Sequence, residues 1–333
     1  MNNRLFALSL CLAGAVFGIL PGLTRAQAAD PAAGYPNQPV RLVIGFAAGG
    51  PTDVIGRLLA QHMSNSMGQT VVVENRPAAA AWVATKEVAR ARPDGYTLLF
   101  TSLTHNVNKL LLKDRAEYDP VTDFEPISLV ANLPMVLVTA YGAPYKSLQD
   151  LIAAARAAPE SVSFGSSGNG GSAHLTAAML GSMANLRMLH VPFRGNAPAL
   201  TEVMAGRVSF MFYPNIGIAA LVAEKRLRVL AVGAADPMAE YPGVPTMNAS
   251  GFPGFELTAP WVGLLAPART PQAIVQILNR ETLKALNRPD VQQRLKELGG
   301  ISVGMGPVQF REFLVSDQER WAKVIAAAGI QSE

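Results

Sequence analysis

VRLVIGFAAGGPTDVIGRLLAQHM, residues 40–63, reads as one strand, one glycine turn and one helix. The run Val40 to Phe46 is apolar and rich in β-branched residues over the length of a buried strand. Gly49 and Gly50 supply the turn. Pro51 fits the first helical position, where its missing N–H costs nothing, and Ile55, Leu58, Leu59, His62 and Met63 then recur on one helical face. A strand that feeds a helix through a tight turn is the building block of sheets covered by helices, so the stretch predicts an α/β protein.

The same rhythm continues on either side. Thr70 to Glu74 and Tyr96 to Thr101 read as strands around a helix from Trp82 to Ala91, with Pro93-Asp94-Gly95 as a turn. Ile127 to Val130 and Pro134 to Thr139 are strands split at Asn132, and Ser147 caps the next helix. A second strand, turn and helix follow at Ser161 to Gly165, Ser166 to Gly171 and Ser172 to Met183. Strands are expected at Arg187 to Val191, Val208 to Phe212 and Arg228 to Val232. The Pro- and Gly-rich passage from Tyr241 to Gly254 reads as a connection, and Pro260 to Ala266 as a strand returning to the first half. Three helices end the chain. The last has Pro307 in its first turn and a core-facing stripe of Phe310, Phe313, Leu314, Trp321, Val324 and Ile325. Two lobes are therefore expected, residues 35–130 with 256–333 and residues 131–255.

Composition narrows the function. The chain of 333 residues is 50% hydrophobic and 16% charged, with room for two cores. Arg4, the apolar run Leu5 to Leu20, and Ala26-Gln27-Ala28 form a secretory signal, with cleavage expected after Ala28. The apolar run is shorter than the roughly 20 residues that span a bilayer. The one cysteine, Cys11, falls inside that signal, which excludes disulfides, Cys-bound zinc and cysteine nucleophiles from the mature chain. Loss of Arg4 and Arg25 lowers the net charge from +4 to about +2, and no basic cluster tracks a phosphate backbone, so nucleic acid is not an expected partner.

Two segments carry the chemistry. FAAGGPTD (Phe46 to Asp53) and FGSSGNGGSAHL (Phe164 to Leu175) each put a glycine turn between a strand and a helix. The first N–H groups of a helix lack intrahelical partners, and the macrodipole makes that end electropositive, so it suits a carboxylate. The dipole contributes about 0.3–1 kcal/mol and each charge-assisted hydrogen bond about 1.5–3 kcal/mol. Two such ends facing one another can supply the roughly 8 kcal/mol of a micromolar complex without a catalytic group. Glycine turns before helices also occur where nothing binds; the repetition of the unit, once per expected lobe, is what favours a ligand.

FAAGGPTDVIGRLLAQ, VVVENRP, RPDGYTLL, GSSGNGGSAHL, VPFRGNAPAL and GLLAPARTP together resemble the substrate-binding proteins of tripartite tricarboxylate transporters, the Bug proteins, from about Tyr35 to the C-terminus. The resemblance implies a periplasmic, type II binding-protein fold of two lobes, each a mixed sheet flanked by helices, joined by two crossover connections. It implies a monomer that captures a small organic carboxylate for membrane transporter subunits, with no catalysis, no cofactor and no metal. One pincer would be Gly50, Pro51, Thr52 and Asp53, and the other Ser166, Ser167, Gly168, Asn169, Gly171, Ser172 and His174. Ser102, Thr104, Arg194 and Asn215 would also face the cleft. The chain departs from the family in NRPAAAAW (Asn75 to Trp82), where NRPGAGG is frequent, in Ala48, and in FYPN (Phe212 to Asn215). Ala78 to Ala81 are expected to make the cleft or its rim more apolar.

Three rival chemistries have partial signals. Gly168, Gly170 and Ala173 fit G-x-G-x-x-A, with Arg194 about twenty residues on, as in an NADP-dependent oxidoreductase. The serines near Gly165 suggest a hydrolase, but Asn169 stands where G-x-S-x-G needs glycine. His62, His105, His174 and His190 show no metal-ligand spacing.

Overall fold

A computed structural model describes residues 32–327 and residue 330 of the chain. The expected secretory signal and its expected cleavage point lie outside the described residues.

Strand β1 (Val40–Ile44) leads through the glycine turn into helix α1 (Pro51–Met67), then β2 (Val71–Asn75), α2 (Trp82–Ala89), β3 (Thr97–Ser102), α3 (Thr104–Leu112) and β4 (Phe124–Asn132). After β4 come β5 (Met135–Ala140), α4 (Leu148–Ala157), β6 (Ser163–Ser166), α5 (Ser172–Ala184), β7 (Leu189–Pro192), α6 (Asn196–Met204), β8 (Met211–Pro214), α7 (Ala219–Ala223) and β9 (Leu227–Gly233). The chain ends with β10 (Trp261–Pro267), α8 (Gln272–Leu286), α9 (Pro289–Glu297), β11 (Ile301–Met305) and α10 (Pro307–Ala327).

The first lobe is a mixed six-stranded sheet in the order β11-β4-β10-β3-β1-β2. β1 runs parallel to β2 and β3, and β10 is antiparallel to β3 and β4. Alternation along the strands decides which core each side chain joins. Leu42, Ile44, Leu98, Phe100 and Leu264 pack with Ile55, Leu59 and Met63 of α1 and with Ile274 and Leu278 of α8. Val43, Leu99 and Leu265 point the other way and pack with Val88 of α2, Val107 of α3, and Phe310, Leu314 and Trp321 of α10. A sheet buried on both faces explains the unbroken apolar run of β1.

The second lobe has the antiparallel sheet β8-β5-β9 and the parallel pair β6-β7, linked by a bridge between Phe164 and Phe210. Its core gathers residues of α4, α5 and α6 around Val136, Val138, Phe210 and Phe212. Ser147 caps α4 in a reciprocal box with Asp150.

The chain passes from the first sheet to the second between Asn132 and Met135 and returns between Gly233 and Trp261. These two passages touch, because Leu133 N–H donates to the Pro260 carbonyl at 2.8 Å.

Sequence reading did not anticipate α3, α6, α7 or β11. β11 is an edge strand whose first residues are exposed, so it lacks the apolar signature of a buried strand.

Candidate ligand-binding cleft

The glycine turn before α1 is fixed from beneath. Asp53 is buried at 2% exposure, and its carboxylate accepts the Gly49 N–H at 2.8 Å, the Asn75 amide at 2.8 Å and the Arg57 guanidinium at 2.9 Å. Burial alone would raise its pKa, but the bonds from Arg57, Gly49 and Asn75 hold it below the usual carboxylate range. A charge engaged this fully shapes the turn. With Gly50 as N-cap and Pro51 first, the amides of Thr52 and Asp53 are the first-turn donors of α1.

The turn before α5 is tied down in its own way. Ser166 Oγ is hydrogen-bonded to His190 Nε2 at 2.7 Å and to the backbone of Gly168, and His174 Nδ1 accepts the Gly170 N–H at 3.1 Å. Gly168 and Gly170 have φ of +115° and +74°, which a side chain would strain. The rings of His174 and His190 stack 4.1 Å apart, with Phe164 behind them.

Between the lobes lies a small cavity of about 20 Å³, room for about one water molecule, so the lobes meet closely here. Phe46, Gly50, Pro51, Thr52, Ser102 and Thr104 line it from the first lobe. Ser167, Ser172, Asn196 and Pro214 line it from the second, and Leu133 and Pro260 from the two passages. No charged side chain lines it.

Seven of the sequence-derived candidates thus meet in one cavity: Gly50, Pro51, Thr52, Ser102, Thr104, Ser167 and Ser172. The others are placed elsewhere. Asp53, Ser166, Gly168 and His174 hold the turns, as described; Gly171 is the N-cap of α5, and Asn169 sits in the same loop without lining the cavity. Arg194 is solvent-exposed and outside the lining. Asn215 is buried with its side-chain oxygen on the Tyr241 hydroxyl, and its neighbour Pro214 reaches the cavity instead.

Sequence reasoning missed Phe46, Leu133, Asn196, Pro214 and Pro260. Asn196 had a signal: it follows Gly195 as the first residue of α6, in a glycine-then-helix pattern like the other two. In consequence four helix N-termini approach the cavity, through Thr52 of α1, Thr104 of α3, Ser172 of α5 and Asn196 of α6. They interleave between lobes. A Cβ at Gly195 would lie 2.9 Å from Ala47 Cβ, and one at Gly170 would lie 2.8 Å from Leu111 Cδ1 of α3.

Ala78 to Ala81 do not line the cavity, which corrects the expectation of a more apolar cleft. Ala79, Ala80 and Ala81 take φ of +43°, +49° and +69°, the left-handed region that glycine enters freely and alanine enters at about 1–2 kcal/mol each. The Ala80 carbonyl accepts from Asn108 at 3.1 Å and the Ala81 carbonyl from Thr85 at 2.9 Å, which holds the strained segment against the Gly168 turn.

The rival chemistries find no support in this geometry. The Ser166–His190 contact is a serine–histidine pair, but Ser166 is fully buried and outside the cavity. Burial, with the adjacent His174, pushes His190 down to about 3, too weak a base to activate a hydroxyl near neutrality. Among the described residues no three His, Cys, Asp or Glu side chains are placed to hold a metal, and no helix is long and apolar enough to cross a membrane.

Known proteins share both sequence and shape. The model of the tripartite tricarboxylate transporter family receptor matches residues 55–330. The UPF0065 protein of the tcbD-tcbE intergenic region in Pseudomonas sp. is 38% identical over 315 residues, covering 94% of this chain and 92% of that protein. The periplasmic binding protein BugD superposes with a TM-score of 0.86 at 32% identity, over 90% of this chain and 100% of BugD. An R. palustris protein solved with adipate gives 0.85 at 32% identity, over 90% and 100% of the two chains. The chain belongs to the receptor family of the tripartite tricarboxylate transporters, whose members are periplasmic solute-binding proteins with this two-lobed fold.

Proposed function

We propose that the chain captures a small organic carboxylate, whether a di- or tricarboxylate, an amino acid or an aromatic acid, between the N-termini of α1 and α5. It then delivers the closed complex to membrane subunits of a tripartite transporter. The observation that carries this reading is the meeting of Gly50 and Thr52 from one lobe with Ser167 and Ser172 from the other in a cavity without charged side chains. Neutral hydroxyl and amide donors held at electropositive helix ends stabilise a carboxylate and leave no fixed cation to trap it. The adipate held by the R. palustris relative is a ligand of the same class.

In this reading residues 35–130 with 256–333 and residues 131–255 move as two bodies about the paired passages at Leu133 and Pro260. Closure follows because only the closed state makes both sets of contacts. The mature chain begins after Ala28, acts in the periplasm as a monomer, and turns nothing over.

Calorimetric titration tests this with mono-, di- and tricarboxylates, aromatic acids and amino acids, each beside its uncharged primary amide. At least one acid is expected to bind at micromolar or tighter Kd with its amide at least tenfold weaker. Equal binding of acid and amide, or no binding across the panel, would refute it.

A further inference from the structure

Among the described residues ten buried side-chain nitrogen or oxygen atoms have no hydrogen-bond partner, and only two of them belong to residues lining the cavity. They are Thr104 Oγ1 and Asn196 Oδ1. Thr104 is 2% exposed and opens α3 in the first lobe, and Asn196 opens α6 in the second. Neither is part of the α1 and α5 ends invoked for the carboxylate. A buried polar atom without a partner is costly, and here the two belong to residues that line one cavity from different lobes.

We infer that Thr104 and Asn196 form a second, hydroxyl-reading subsite, so that the preferred ligand is a hydroxylated carboxylic acid; the inference rests on the carboxylate reading above. The atoms decide the chemistry. An amide oxygen only accepts, so its partner must bring a hydrogen, whereas a threonine hydroxyl both donates and accepts. A ligand hydroxyl meets both demands at once: it donates to Asn196 Oδ1 and accepts from Thr104 Oγ1–H. A second carboxylate would set its oxygens against Asn196 Oδ1 with no cation among the lining residues to offset it. An ammonium would find no carboxylate there.

Discrimination of this kind is large because the deoxy ligand leaves both protein groups unpaired. The test is calorimetry on matched pairs that differ by one hydroxyl: lactate and propionate, malate and succinate, citrate and tricarballylate. For the pair that binds, the hydroxylated acid is expected to bind wild-type protein about tenfold tighter or more than its deoxy twin. Thr104→Ser keeps that ratio. Thr104→Val, which leaves only Asn196 to read the hydroxyl, lowers that ratio at least threefold. Should Thr104→Val fail to fold, Asn196→Leu carries the same expectation. Equal or tighter binding of the deoxy twin by wild-type protein overturns the subsite while leaving the carboxylate reading intact, and so does a ratio preserved in Thr104→Val. No binding by either member of any pair, where another acid of the wider panel binds, overturns the subsite and leaves the carboxylate reading intact, whereas no binding across that whole panel overturns both.

Discussion

Gly195→Ala separates closure from folding. Gly195 has φ +148° and ψ 166°, a region that is nearly glycine-only, so alanine there costs about 1–3 kcal/mol of strain whether the lobes are apart or together. The added methyl also stands 2.9 Å from Ala47 Cβ and 3.2 Å from Ala47 N, inside the 3.5–4.0 Å of an ordinary contact. Ala47 belongs to the turn before α1 and Gly195 to the turn before α6, so this clash exists only in the closed form. Overpacking of that size costs about 1–3 kcal/mol, which is roughly a 5- to 150-fold loss of affinity. Thermal melting of the unliganded protein reads the strain, and titration with the cognate acid reads the clash. Ala47→Gly removes the nearer obstacle, so the double mutant Ala47→Gly/Gly195→Ala recovers most of the affinity but not the melting temperature. Wild-type affinity in Gly195→Ala, or a double mutant as weak as the single one, would refute the reasoning.

Ser172→Ala and Thr52→Val each remove a hydroxyl from the cavity wall and are expected to weaken acid binding about 10- to 150-fold, with melting temperatures within a few degrees of wild type; unchanged calorimetric affinity in both would contradict the pincer. Asp317 is 2% exposed and accepts from Asn106, Trp261 and Arg320, so Asp317→Ala strips the acceptor from the Trp261 N–H and from one Asn106 amide hydrogen, and is expected to lower the unfolding free energy by about 3 kcal/mol in urea titration, whereas a loss under 1 kcal/mol would contradict this network. Burial pushes His105 down to about 4, and burial with His174 pushes His190 to about 3, so both stay neutral in the fold while the unfolded chain protonates near 6.5. The unfolded state then binds more protons between these values, and stability is fully present above about pH 6.5 and falls as the pH drops toward 4, by about 3 kcal/mol for His105. A urea midpoint that stays level from pH 7 to pH 5, above the range where carboxylates titrate, would contradict it.

The strands and helices of the first unit were legible because burial on both sheet faces leaves an apolar run, and because glycine and proline mark turn and helix start. The α1 and α5 turns were legible for the same reason. The wider rim was not. Thr104 and Asn196 open helices of nine residues, THNVNKLLL and NAPALTEVM, against seventeen in α1, so fewer turns of apolar spacing mark them in the sequence and neither helix was expected. The resemblance carried Arg194 to the cleft, yet the residue two places on is the one that lines the cavity, and only the path of the backbone after Gly195 picks out the asparagine. Asp53 and His174 share one lesson: polar side chains in a glycine turn can be spent on holding the turn itself. The alanines at 79–81 keep left-handed backbone angles despite losing glycine's freedom, because hydrogen bonds from Asn108 and Thr85 hold them there.

A crystal structure of the protein grown with a saturating, calorimetrically proven acid tests the account most directly. One carboxylate is expected between the lobes, its oxygens within about 3 Å of the Thr52 amide and of the Ser172 amide or hydroxyl. Ligand density lodged anywhere else, or a carboxylate neutralised by Arg194 or another cation while those amides point away, would contradict it.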